Sequence, residues 1–250
     1  MSIRTIGVAL VGLWVGVGSA GVAEAHLRDY LVNQSYHTAK RGELELEFHN
    51  DMNFPEADRD GSYNSAHQIE LEYGLTNHVQ LAYYEVYTWN RAKDWERDAF
   101  KIEAKARFAQ AGDWPLDLAL YTEYKNPDGH RRVNSDALEN KIIISKDIGP
   151  WNFIVNAVFE RTLNTHGHWE YEYTAGASYG LTPRTRVGLE VKQGLGDSKH
   201  VEFSGKEPLY VVPGLYTTLA PDVRLLVGPA FGMTRVSDDF QLKSIVEVEF

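Results

Sequence analysis

Residues 169–179 read Trp169-Glu170-Tyr171-Glu172-Tyr173-Thr174-Ala175-Gly176-Ala177-Ser178-Tyr179, and a second stretch, Arg186-Val187-Gly188-Leu189-Glu190-Val191-Lys192, follows shortly after. In the first, aromatic and small residues hold the odd positions, and acidic or hydroxylated residues hold most of the even ones. In the second, Val187, Leu189 and Val191 alternate with Arg186, Glu190 and Lys192. A period of two sends successive side chains to opposite faces of a strand, so each stretch has one greasy face and one charged face. Soluble antiparallel strands share that pattern, with the charged face in water. Length separates the two cases: these runs approach roughly ten residues, which a tilted strand needs to cross a bilayer, whereas soluble strands are nearer five or six.

The pattern extends outward in both directions. Leu44, Leu46 and Phe48 alternate with Glu43, Glu45 and Glu47, and Ile69, Leu71 and Tyr73 with Gln68, Glu70 and Glu72. Phe100, Ile102, Ala104, Ala106 and Phe108 alternate with Lys101, Glu103, Lys105 and Arg107. Further strands are expected at about 79–90, 115–125, 137–147, 151–162, 168–179, 184–193, 207–218, 223–234 and 239–250. The total is twelve, and an even number returns both chain ends to one side, as in single-chain bacterial barrels. The expected fold is therefore all-β, a closed antiparallel transmembrane β-barrel over residues 42–250 in the outer membrane. Two strands fit poorly. Ile142, Ile143 and Ile144 blur the alternation, and Glu85 follows Leu81 and Tyr83 onto the lipid face unless a bulge resets the register.

Connections alternate as well. Short turns are read at 74–78, 110–114, 147–150, 180–183 and 219–222, and longer polar stretches at about 50–62, 126–136 and 194–206. This is the asymmetry of periplasmic turns against extracellular loops, so Asp128 and His130 are expected outside the cell and Thr182 on the periplasmic side. Tyr73, Phe108, Trp114, Trp151, Tyr179, Tyr216 and Phe250 are expected in the lower aromatic girdle, with Phe100, Tyr124, Trp169, Tyr171 and Phe240 in the upper one. Val246, Val248 and Phe250 alternate with Glu247 and Glu249 up to the last residue. That ending resembles the terminal strand signal of outer-membrane barrels, which implies the barrel assembly machinery as a partner.

Arg4, the apolar run Ile6–Val17 and Ala23-Glu24-Ala25 have the order of a secretory signal, so residues 1–25 are expected to be removed. The run falls short of the roughly 20 residues of a spanning helix. Residues 26–41 lack a spanning pattern, and either enter the lumen or lie disordered in the periplasm, the ordinary state of a terminus. Without cysteine there is neither a disulfide framework nor a thiol site. A net charge of −10 argues against nucleic acid and against docking on anionic headgroups, leaving outer-membrane lipids and small solutes as partners.

The turns Tyr73-Gly74-Leu75-Thr76-Asn77 and Tyr179-Gly180-Leu181-Thr182-Pro183, with Val211-Val212-Pro213-Gly214-Leu215-Tyr216, are similar to motifs of the phenol-degradation meta-pathway family of outer-membrane proteins. The resemblance covers the last two thirds of the chain. It implies passage of small compounds, aromatic ones among them.

The expected functional residues line the lumen: Glu45, Glu70, Glu72, Lys101, Glu103, Lys105, Arg107, Glu170, Glu172, Arg186, Glu190 and Lys192. Charge rings select solutes in a water-filled pore, and opposite signs are expected to meet across the lumen or between neighbouring strands. The leading expectation is a narrow channel and not an enzyme. A structural or adhesive barrel with an ion-paired, plugged lumen is the alternative, since twelve strands lie between filled and open barrels. A lipid-modifying hydrolase is the third: Ser65 and His67 share an outer face near the upper rim with Asn50, Asn53 and Asn64 nearby, but the sequence supplies no clear third catalytic member. No cofactor or metal is expected. Glu56, Asp58, Asp60 and Gly61 open like a calcium loop, yet His67 stands where its closing glutamate belongs, and His166 and His168 lack further ligands.

Overall fold

The computed structural model describes residues 30–54, 64–90, 93–127, 135–201 and 206–250. The expected signal segment, the calcium-like loop residues, Asp128 and His130 lie outside them. The strands are β1 (Leu44–Phe54), β2 (Asn64–Thr76), β3 (Val79–Asn90), β4 (Lys93–Arg107), β5 (Asp117–Pro127), β6 (Ala137–Ile148) and β7 (Trp151–Thr162). They continue as β8 (Trp169–Thr182), β9 (Thr185–Asp197), the two-residue β10 (His200–Val201), β11 (Leu209–Ala220), β12 (Val223–Gly232) and β13 (Phe240–Glu249). β10 only extends the rim of β9. The other twelve pair antiparallel with their sequence neighbours, and β13 pairs with β1 to close the barrel.

Side-chain exposure is the reverse of a soluble protein's. Glu47, Glu70, Glu103, Glu190 and Glu247 are buried, whereas Phe48, Ile69, Leu71, Leu81, Ile102, Phe153, Leu189 and Leu215 are exposed. An apolar outer band around a polar interior is what a bilayer demands of a barrel. Phe108 and Trp114 stack at the turn end, as do Trp151 and Phe153. Phe54, Phe231 and Phe240 cluster at the opposite rim. The tight turns Thr76–Val79, Thr182–Thr185 and Ala220–Val223 share one end of the barrel, the end that the sequence expectation assigns to the periplasm.

Two expectations need correction, for Tyr216 and for the connections, and two ambiguities are settled. Tyr216 leaves the lower girdle: it shares the inward face of β11 with Val212 and is fully buried. Glu85 does point outward, and the bulge lies on the neighbouring strand instead. Val86 pairs with Ala99 and Tyr87 with Arg97, so Asp98 is the extra residue and Arg97 turns outward. There it meets Glu85 at 2.6 Å, which neutralises a charge that lipid would otherwise penalise. Ile143 alone of the three isoleucines faces inward, between outward Ile142 and Ile144. Lastly, β3 and β4 are separated only by residues 91–92, while the lower connection 108–116 is long.

Two outcomes are expected. The backbone N–H of Phe250 donates to the Leu44 carbonyl at 2.8 Å, sealing β13 to β1. A chain lacking Phe250 should be exported but show a reduced fraction with heat-modifiable migration, and a full folded yield would contradict this account of closure. With no native thiol, Asn164→Cys should react with an impermeant maleimide on intact cells while Thr182→Cys should not. The opposite pattern would invert the orientation.

Candidate functional site

The alternation places all twelve expected residues on inward faces. Glu45, Glu70, Glu72, Glu103, Lys105 and Glu190 are no more than 4% exposed. Lys101, Arg107, Glu172, Arg186 and Lys192 are half-buried, and Glu170, near the upper mouth, is exposed. Arg107 and Arg186 end at the lower rim: the first donates to the Asn77 carbonyl at 2.9 Å, the second to Ser178 Oγ at 3.0 Å.

In the upper half, opposite charges meet as expected. Lys192 lies 3.1 Å from Glu172 and Lys101 3.2 Å from Glu123. Lys243 lies 2.8 Å from Asp51 and Lys141 2.9 Å from Glu139. The lysines Lys101 and Lys141 also ride over the rings of Tyr84 and Tyr121 at 5.2 and 4.3 Å. Glu123, Glu139, Lys141, Asp51 and Lys243 were missed from sequence. Each sits at an inward position of its strand, but the isoleucine run beside Lys141 and the loop-like composition around Asp51 hid the alternation.

In the lower half acids also meet acids. Glu45 faces Glu72 across the β1–β2 pair, Glu47 faces Glu70, and Glu47 faces Glu247 on the other side. His49 Nε2 lies 2.7 Å from Glu47 and 3.0 Å from Glu70, bridging two of them. Three overlapping groups, Glu47/His49/Glu70, Glu45/Glu47/Glu72 and Glu70/Glu72/Glu103, each hold ligand-type atoms within 4.8 Å of one another. Carboxylates this close and this buried need a shared proton, a cation or a basic side chain between them, and Lys105 and Arg224 are the buried bases adjoining them. His166 is exposed, while His168 lies 3.5 Å from Asp197 at the upper mouth.

Residues 30–41 run inside this lower half. Their backbone would be unsatisfied there without partners, and luminal side chains supply them. The Glu190 carboxylate accepts from the N–H groups of Leu31 (2.7 Å), Val32 (2.9 Å) and Asn33 (2.9 Å), from Asn33 Nδ2 (2.9 Å) and from Tyr216 Oη (2.8 Å). Gln34 N donates to Asn156 Oδ1 at 2.6 Å, and Asn156 Nδ2 returns a bond to the Gln34 carbonyl at 3.2 Å. Ala39 N donates to Gln80 Oε1, and Arg41 N to Asn77 Oδ1 in the first Tyr-Gly-Leu-Thr-Asn turn. Tyr30, Leu31 and Tyr36 join inward Tyr121, Ile143, Ile154, Tyr216 and Ile245 in an apolar cluster. The fit depends on small residues: a Cβ on Gly176 would stand 2.8 Å from the Tyr30 ring, and one on Gly214 2.4 Å from Tyr216 Oη.

Above this segment the lumen is open. An upper vestibule of about 680 Å³ is lined by residues including Asp51, Glu170, Lys192, Tyr210 and Lys243. Beneath it, a chamber of about 210 Å³ is lined by His49, Lys101, Tyr121 and Lys141, with Val32 and Gln34 of the inner segment also on its wall. On the far side, Gln34, His37, Glu45, Glu72 and Lys105 surround only about 10 Å³, about the space of one water.

No family model matches the chain, and no curated protein matches it. Solved structures do. An outer membrane channel from Pseudomonas putida F1 aligns with a TM-score of 0.64 at 10% identity, over 88% of this chain and all of that one. The KdgM porin aligns at 0.54 and 10% identity over 82% and 98% of the two chains. The NanC porin gives 0.54 and 10% over 83% and 98%. At such identity the likeness establishes fold: this chain is a closed twelve-stranded barrel of the bacterial outer-membrane type.

Proposed function

We propose that the barrel is a narrow outer-membrane channel for small neutral or cationic solutes, aromatic ones among them, closed at its periplasmic half by residues 30–41. The observation that carries this reading is a wide upper vestibule and inner chamber ending on a segment held by side-chain hydrogen bonds and packing, not by strand pairing. Such a segment can leave without breaking the barrel's ladder. Among the described residues the vestibule lining carries seven carboxylates (Asp51, Glu139, Glu160, Glu170, Glu172, Asp197 and Glu207) and two lysines (Lys192 and Lys243). Charge of one sign at a mouth concentrates the opposite sign. The KdgM porin is solved in complex with oligogalacturonate, an anion; the acidic mouth here favours the opposite charge. Tyr84 and Tyr121 line the chamber beneath the Lys101 and Lys141 ammoniums, and the inclusion of aromatic solutes rests on the phenol-degradation resemblance. The second reading, a structural barrel with a fixed plug, draws support from the tight void beneath the segment.

Conductance tests both. Wild-type protein in planar bilayers should pass small currents with cation preference. Replacing Glu170, Asp197 and Glu207 together by their amides should reduce that preference. Glu190→Ala removes the acceptor of four bonds from the segment, and losing even about 3 kcal/mol of that anchoring would shift the docked equilibrium by about 10²-fold toward withdrawal. Its conductance should therefore rise. Absence of current from wild type and from Glu190→Ala, with both folded, would leave the plugged structural barrel as the better account.

A further inference from the structure

The outer face of β1 and β2 carries a line of polar side chains where apolar ones are the rule. Phe48, Ile69 and Leu71 hold the neighbouring outward positions, yet Asn50, Ser65 and His67 follow on the same faces. Asn50 and His67 are cross-strand partners, and Ser65 lies two residues from His67. His67 Nδ1 is 2.8 Å from Asn50 Oδ1, and His67 Nε2 is 2.8 Å from Ser65 Oγ. Asn50 Nδ2 donates to Ser244 Oγ on β13 at 3.5 Å, which turns Oδ1 toward the histidine. Oδ1 then accepts from Nδ1–H, so Nε2 is left unprotonated to accept the serine proton. This is the connectivity of a nucleophile, a base and the group that orients it, and Asn50 is the third member that the sequence did not single out.

The depth suits a lipid substrate. Ser65, the attacking group, pairs with Met52, two residues short of the Phe54–Phe240 contact at the upper rim, roughly 7 Å along the strand. That places Ser65 just below the interface, near the ester bonds of outer-leaflet lipids, with His67 and Asn50 one step deeper. Ser65 is 4% exposed, with Met52 and Trp89 as its cross-strand neighbours. The Trp95 ring sits 4.5 Å from the His67 ring and is itself 59% exposed. Apolar walls keep water from competing for the Ser65–His67 bond, and a surface ring can swing aside on the nanosecond scale.

We propose that Ser65, His67 and Asn50 form a lipid-facing hydrolase triad acting on the acyl ester of a membrane lipid, independently of whatever the lumen passes. Ser65 Oγ attacks the ester carbonyl carbon while His67 Nε2 takes its proton. The tetrahedral adduct breaks the acyl C–O bond, and His67 returns the proton to the departing lipid alkoxide. Water, deprotonated by His67, then attacks the acyl-serine carbonyl, the acyl C–Oγ bond breaks to release a fatty acid, and His67 returns the proton to Ser65 Oγ. Asn50 holds the imidazole's tautomer and orientation.

The test is fatty-acid release by the full-length protein in two preparations, vesicles of dioleoyl phosphatidylethanolamine and vesicles carrying lipopolysaccharide, whose comparison distinguishes phospholipid from lipid A esters. Wild type should release acid from at least one. Ser65→Ala should lose about 10³-fold or more and Asn50→Ala about 10²-fold, with Asn50→Asp, which still accepts from Nδ1–H, restoring most of it. A fluorophosphonate should label wild type and not Ser65→Ala. Heat-modifiable migration and conductance should be unchanged in all three variants, which separates failure here from failure of the channel reading. No release by folded wild type in either preparation, or equal release by folded Ser65→Ala, would overturn the proposal.

Discussion

A backbone inside hydrocarbon must satisfy its own hydrogen bonds, and a sheet does so completely only when its first and last strands join. Here that junction is the β1–β13 ladder, ten residue pairs from Glu45↔Glu249 to Phe54↔Phe240. Everything else follows from closure. Once the sheet is a cylinder, alternate side chains have only two destinations, lipid or lumen, and each strand must keep its register or send charge into the wrong one. The single charged pair on the described outer surface of β3 and β4 shows how strict this is. Asp98 is squeezed out as a bulge so that Arg97 reaches Glu85.

The lumen resolves the same constraint in two ways. In its upper half, lysines and carboxylates pair across adjacent strands or along one, leaving space at the centre. In its lower half glutamates crowd the wall around β1 and β2, and the space is filled by the chain's own early residues. That filling is itself backbone, so it needs acceptors, and Glu190 provides them: one carboxylate terminates the N–H groups of three consecutive residues and a tyrosine hydroxyl. Charge-assisted bonds of this kind are stronger than neutral ones, but they can be exchanged for water. A segment bound in this manner differs in kind from a strand of the wall.

On the described outer face most positions are apolar, and two groups of polar exceptions are informative. Glu85 and Arg97 neutralise one another. Asn50, His67 and Ser65 bond to one another in sequence, so that little unsatisfied polarity meets the bilayer. The same bonds that make these groups tolerable in lipid are the ones that would prepare a serine for attack, so the arrangement has a chemical capacity that packing alone does not require.

The alternation around Tyr171 and Leu189, the even strand number and the tight turns at Thr76–Val79, Thr182–Thr185 and Ala220–Val223 were legible from residue order, because a two-residue period and a ten-residue span are local properties. So were the inward positions of Glu45, Glu70, Glu72, Glu103, Lys105 and Glu190. Where local pattern was ambiguous, as at Ile142–Ile144 and Glu85, pairing with neighbouring strands decided the outcome. Three features belonged to tertiary structure alone. Residues 30–41 carry no periodic signal, since their partners, Glu190, Asn156 and Gln80, lie far along the chain. Tyr216 reads as a girdle residue until the register of β11 sends it inward over Gly188 and Gly214. Asn50, one of three nearby asparagines, became the partner of His67 only because closure set β1 and β2 in the register that places the two side by side. Periodicity in a sequence fixes which face a side chain takes, but contact between faces requires the register, and register is a property of the closed barrel.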